Sequence, residues 1–194
     1  MNNNLKGKKV NKKNENLFRH ISYLIGILFY SDSNASQIYL NDALKMLEFI
    51  IGKSKREGKE NVIAALCRII ISMKFNKNNF EFFNKCIKTI FENLPFKYDP
   101  MENTTALDFL IYVIEILDLE DYKKYIESIV KVLQILVINN AKCETKDEDM
   151  SKIKNYLNTL EKNETIKGLI ENYIMNKFTS NEKEKFIKSI NEAK

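Results

Sequence analysis

Apolar residues return every three or four positions through most of this chain of 194 residues. Phe18, Ile21, Leu24, Ile25 and Leu28 form one stripe, and Leu40, Leu44, Leu47, Ile50 and Ile51 a second. Val62, Ala65, Leu66, Ile69 and Ile70 form a third, and Phe80, Phe83, Ile87, Ile90 and Phe91 a fourth. The series continues through Leu107–Leu117 and Ile126–Leu136, then through Ile153–Leu160 and Ile166–Ile174. This is the i, i+3, i+4, i+7 signature of amphipathic helices, and nothing alternates with period two long enough for a strand. The pattern predicts helices over 16–30, 34–52, 57–74, 78–93, 102–118, 120–139, 148–162, 163–177 and 180–192. Thr179 with Glu182 has capping-box spacing at the start of the last one.

The connectors are short and polar, which forces successive helices to run antiparallel as neighbours. A recurrent apolar–x–x–apolar motif, with Gly26, Cys67, Ile111 and Asn158 as landmarks, returns after 41, 44 and 47 residues. That period fits stacked helix pairs of the HEAT type rather than a closed bundle. Both prolines, Pro95 and Pro100, sit in NLPFKYDPMEN. Leu94-Pro95 is expected to end one helix, and Asp99-Pro100 to open the next with the carboxylate near its positive end.

Composition narrows the choices. Apolar residues make up 44% of the chain, enough for a real core, and the few Gly and Pro favour helices. The net charge of +5 is mostly local: residues 1–16 hold five lysines against Glu15 alone. The rest is nearly neutral, so direct nucleic-acid binding is not expected. The Asn/Lys-rich segment 1–16 reads as a disordered tail and 17–194 as the folded domain. No apolar run approaches the roughly 20 residues of a membrane span, and the polar start does not resemble a signal peptide. Cys67, Cys86 and Cys143 form no metal or disulfide pattern, and His20 is the lone histidine. With no phosphate-binding or zinc motif, the reading is non-enzymatic, with no catalytic, cofactor or metal residue. Glu144, Asp147, Glu148 and Asp149 form an acidic run on an expected loop without the glycine of an EF-hand.

Several stretches are similar to a known family. KENVIAALCRII (59–70) resembles the inner helix of HEAT repeats in the importin-β (karyopherin-β) nuclear transport receptors, and LFRHISYLIGILFY (17–30) resembles another. ENLPFKYDPMENTTALDFLIYVIE resembles a Leu-Pro, acidic, apolar-helix sequence near the C-terminal end of these receptors, closest to the importin-five/karyopherin-β-three-like subgroup. FTSNEKEKFIKSINEAK is similar to that subgroup's closing helix, while 141–164 match poorly. The resemblance implies an all-α, α-α superhelix of about four and a half HEAT repeats, forming the C-terminal part of a longer receptor.

It implies a carrier of protein cargo with basic localisation signals, found in cytoplasm and nucleus, that also binds Phe-Gly nucleoporins. Ran-GTP would act through N-terminal repeats absent from this chain. Glu60, Asp108 and Glu115 would project to the concave face toward basic cargo, or be ordinary helix-face residues. Phe82 would line a nucleoporin slot between outer helices, or pack in the core. Asn61 would hydrogen-bond the turn of an adjoining repeat. An end repeat would leave an apolar face at 17–30 open. The alternative is a HEAT or armadillo-like scaffold unrelated to transport.

Overall fold

A computed structural model describes residues 12–31, 33–74, 80–140 and 147–193. Among these residues the chain forms nine α-helices and no strand. They are α1 (Lys12–Ser31), α2 (Ser33–Lys53), α3 (Arg56–Ser72), α4 (Phe80–Asn93) and α5 (Asn103–Val113). There follow α6 (Leu119–Asn140), α7 (Asp147–Glu161), α8 (Glu164–Lys177) and α9 (Ser180–Ala193). Each expected helix is present, most with ends within a few residues of the periodic pattern. The exception is α5, which stops at Val113 because the chain tightens there. Ile116 donates its N–H to the Val113 carbonyl three residues back, a tighter turn than the α-helical ladder, and shares that carbonyl with the Leu117 N–H.

The helices stack in two layers. α1 packs on α3, α3 on α5, α5 on α7, and α7 reaches α9. On the other side α4 packs on α6 and α6 on α8, while α2 lies against α1 and α3. The architecture is an all-α superhelix of the packed pairs α1/α2, α3/α4, α5/α6 and α7/α8, with α9 closing the stack against α6 and α7. The landmarks Gly26, Cys67, Ile111 and Asn158 fall on α1, α3, α5 and α7, so the period of the sequence traces one layer.

Small residues set the closest crossing. A Cβ on Gly26 would lie 3.0 Å from the Ala65 Cα and 3.1 Å from the Arg68 side chain, so α1 meets α3 almost backbone to backbone. Ser22 on the same side of α1 is fully buried. The core then runs through Ile63, Ile69, Leu107 and Phe109 to Ile129 and Tyr156, all closed off from solvent.

Two sequence expectations are corrected at the start of the chain and at the prolines. Segment 1–16 is not wholly a tail: α1 opens at Lys12, and the Glu15 carboxylate accepts the Lys55 and Gly58 N–H groups at the start of α3. It does for α3 what a cap residue would do, from another helix. α4 ends at Asn93, just before the cis Leu94–Pro95 bond, and Pro100 opens a 3-10 turn to Glu102. Asp99, however, gives no side-chain cap there. Its carboxylate turns back to Arg19 of α1 and Asn61 of α3.

Candidate protein-interaction surface

A run of apolar positions buries one side of α2 on α3, while α4 packs on α3 further along. Between α2 and α4 this leaves an open slot of about 420 Å³. Leu44, Leu47 and Ile51 of α2 form one wall. Val62 and Leu66 of α3 form the floor, and Cys86 of α4 lies opposite. Lys45, Glu48 and Lys85 stand among the lining residues and carry both signs of charge, so the slot selects by shape and apolarity. Burial pushes the Cys86 thiol up to about 12, so it stays protonated and serves as apolar lining. Such a site offers shape and apolar surface to a protruding side chain.

A second cleft, about 520 Å³, opens where the turn after α5 meets the turn between α7 and α8. Ile114, Leu117 and Ile166 contribute its apolar surface, with Glu115 and Lys162 also lining it.

The expected cargo residues do not converge. Glu60 is buried: one carboxylate oxygen accepts the Lys97 N–H at 2.7 Å, the other those of Tyr98 and Asp99 at 2.8 and 2.7 Å. A carboxylate saturated by three consecutive amides holds the loop and is not displayed to a partner. Asp108 accepts the Lys152 ammonium at 3.0 Å and ties α5 to α7. Glu115 alone of the three is exposed, in the second cleft. Phe82 lies in α4, but its side chain falls outside the described residues. Phe83, its neighbour, is core. Asn61 does reach an adjoining turn, donating to Asp99 at 2.9 Å and to the Glu57 carbonyl at 3.0 Å. His20 is exposed on α1. Asp147, Glu148 and Asp149 begin α7 instead of forming a loop, and Glu144 lies outside the described residues.

Sequence reasoning missed the residues that couple the pairs. Arg68 donates one Nη2 to Glu102 at 2.7 Å and to Thr105 at 2.8 Å, while Thr105 donates to the same carboxylate at 2.8 Å. Arg68 also lies over the Tyr23 ring, 5.1 Å from its centroid. Asn103 clasps its own loop, accepting from the Phe96 N–H and donating to the carbonyls of Phe96 and Pro100. A charge inside an otherwise apolar helix, such as Arg68 after Leu66-Cys67, was the available signal.

Among the described residues no cluster of three His, Cys, Asp or Glu side chains stands where it could hold a metal ion. None of the described helices is long and apolar enough to cross a membrane. No protein-family model, curated protein or solved structure matches the chain.

Proposed function

We propose that this chain is the protein-binding C-terminal part of an importin-β-type nuclear import receptor, working without catalysis in nucleocytoplasmic transport. The observation that supports the reading is the apolar slot between α2 and α4, the two helices that flank α3. In the family that the sequence resembles, Phe-Gly nucleoporins insert phenylalanine side chains between neighbouring outer helices. Leu44, Leu47, Ile51 and Leu66 offer a ring the apolar walls it needs, and α3 closes the bottom. Weak, reversible capture suits a carrier that must release the pore at each step.

The cargo part of the reading rests on less. Glu60 and Asp108 are consumed inside the fold, so a basic segment would meet Glu115 and whatever the remainder of a receptor provides. A helical-repeat scaffold outside transport would use the same two-layer fold and would hold another partner's apolar side chain in this slot.

Titrating a fluorescent Phe-Gly-repeat peptide into the chain tests the proposal. Saturable binding, lost when peptide Phe is replaced by Ser and weakened about tenfold or more by Leu44→Glu, is the expected result. No binding by the folded wild-type chain, or binding indifferent to Leu44→Glu, would overturn it.

A further inference from the structure

Large apolar side chains are exposed unevenly over the molecule, and they concentrate on its leading two helices. Leu17, Leu24 and Leu28 of α1 are 54%, 57% and 61% exposed, and Ile38, Tyr39, Met46 and Phe49 of α2 are open to a similar degree. At about 100° per residue the α1 leucines share one side, opposite Gly26, which faces α3. On α2 the four exposed residues lie away from Leu44 and Ile51, which face the slot toward α4. The two stripes meet where Phe18 and Phe49 touch edge to face, ring centres 6.2 Å apart. They therefore form one end face of the stack. A specific interface buries about 800 Å² on each partner, and this face sets out seven large apolar side chains exposed by 45–72%.

The pattern on α1 says what fits it. Leu17, Ile21, Leu24 and Leu28 follow one another at spacings of 4, 3 and 4, which is the heptad seam of paired helices, with leucine at both d positions and Ile21 half-buried against the core. Asn14 continues the seam at the next a position, and a single asparagine there is how paired helices fix register. The seam carries no charge that would select an oppositely charged surface. Its natural complement is a helix with the same spacing, and every molecule of this chain has one.

We propose that two copies of this chain pair end to end through their α1 helices, the Leu17–Ile21–Leu24–Leu28 seams interlocking and the α2 residues Ile38, Met46 and Phe49 closing around them. The pairing is isologous, the same patch on both partners. It does not depend on what the slot between α2 and α4 binds, which lies on the other side of α2, and it concerns the chain as given: in a longer receptor the preceding repeat would stack on this same face.

Sedimentation equilibrium of the full chain tests the pairing. The wild type is expected to approach twice 22.8 kDa as concentration rises through the micromolar range. Leu24→Glu and Leu28→Glu, both at exposed positions, should weaken self-association at least about tenfold with the helical circular dichroism unchanged. Met175→Glu, exposed near the far end of the stack, should leave the dimer intact. A wild-type chain that stays monomeric overturns the proposal and leaves the seam to a helix of another protein. A dimer indifferent to both leucine variants, or one broken by Met175→Glu, overturns it equally.

Discussion

The leading half of the stack and its trailing half share one architecture and are joined in different ways. Between α1, α3 and α5 the joints are polar and close. Glu15 caps α3, Arg19 and Asn61 share the Asp99 carboxylate, Glu60 holds the loop 97–99, and Arg68 is buried against Glu102. Between α6, α7, α8 and α9 the joints are mainly apolar. A cavity of about 130 Å³ lies among Leu133, Leu160, Ile170, Ile174 and Phe186. The principal buried polar tie there is the Tyr122–Tyr156 hydroxyl pair at 2.8 Å. Apolar joints supply free energy without fixing a register, whereas hydrogen-bonded charges tolerate one geometry and penalise the rest. The leading pairs are accordingly specified, and the trailing pairs are free to adjust.

Removing a buried charge should separate the halves most. Arg68→Ala leaves the Glu102 carboxylate buried without its cation and should cost about 3–5 kcal/mol by urea unfolding. A loss under about 1 kcal/mol would mean that Arg68 and Glu102 do not couple the pairs. Next comes Gly26→Leu, which must push α1 off α3; about 2 kcal/mol is expected by the same measurement. Tyr156→Phe strands the Tyr122 hydroxyl and should cost about 1–2 kcal/mol, less if Tyr122→Phe accompanies it.

The same tyrosines give the trailing half a pH signature. Burial pushes the Tyr122 hydroxyl up to about 12 and raises Tyr156 well above 10. Both bind their protons more tightly folded than unfolded. Their stabilisation is thus complete below pH about 10 and is lost as pH climbs toward 12. The double Tyr→Phe variant should flatten that part of the profile. Buried Cys67 and Cys86, whose ordinary value is 9.0, should begin the alkaline decline in the leading half sooner.

The smallest effect belongs to the capping box of α9. Thr179 donates its N–H to Glu182, which in turn donates its own N–H to the Thr179 hydroxyl. The Thr179 N–H and hydroxyl, both donating to the Glu182 carboxylate, lower its pKa. What they contribute is present above the ordinary value of 4.5 and disappears as pH falls below it. Glu182→Ala should fray only α9, seen as faster amide exchange there and nowhere else.

Periodicity carried the fold because a helix's buried face is a local property, written every third or fourth residue. The order of layers was legible too, since Gly26, Cys67 and Ile111 recur with the stack. Thr179 and Glu182 announced their box three residues apart. The coupling residues were not legible, because their partners lie 34 to 44 residues away, on loops and helices whose return path no local pattern encodes. Glu60 looked like a surface acid for that reason: the sequence places it on a helix face but does not reveal that residues 97–99 fold over it. The slot escaped the same way. It is a gap between α2 and α4, and Phe82 drew attention to an aromatic residue when the walls are aliphatic.

Hydrogen exchange of the chain, alone and with a Phe-Gly-repeat peptide, addresses the link between this architecture and binding most directly. Without peptide, α3 and α5 should exchange slowest and α8 and α9 first. With peptide, added protection should concentrate on 41–51 of α2 and 85–89 of α4, the walls of the slot. Protection gained instead in the trailing helices, or no change at saturating peptide, would contradict the assignment of that slot as a partner site.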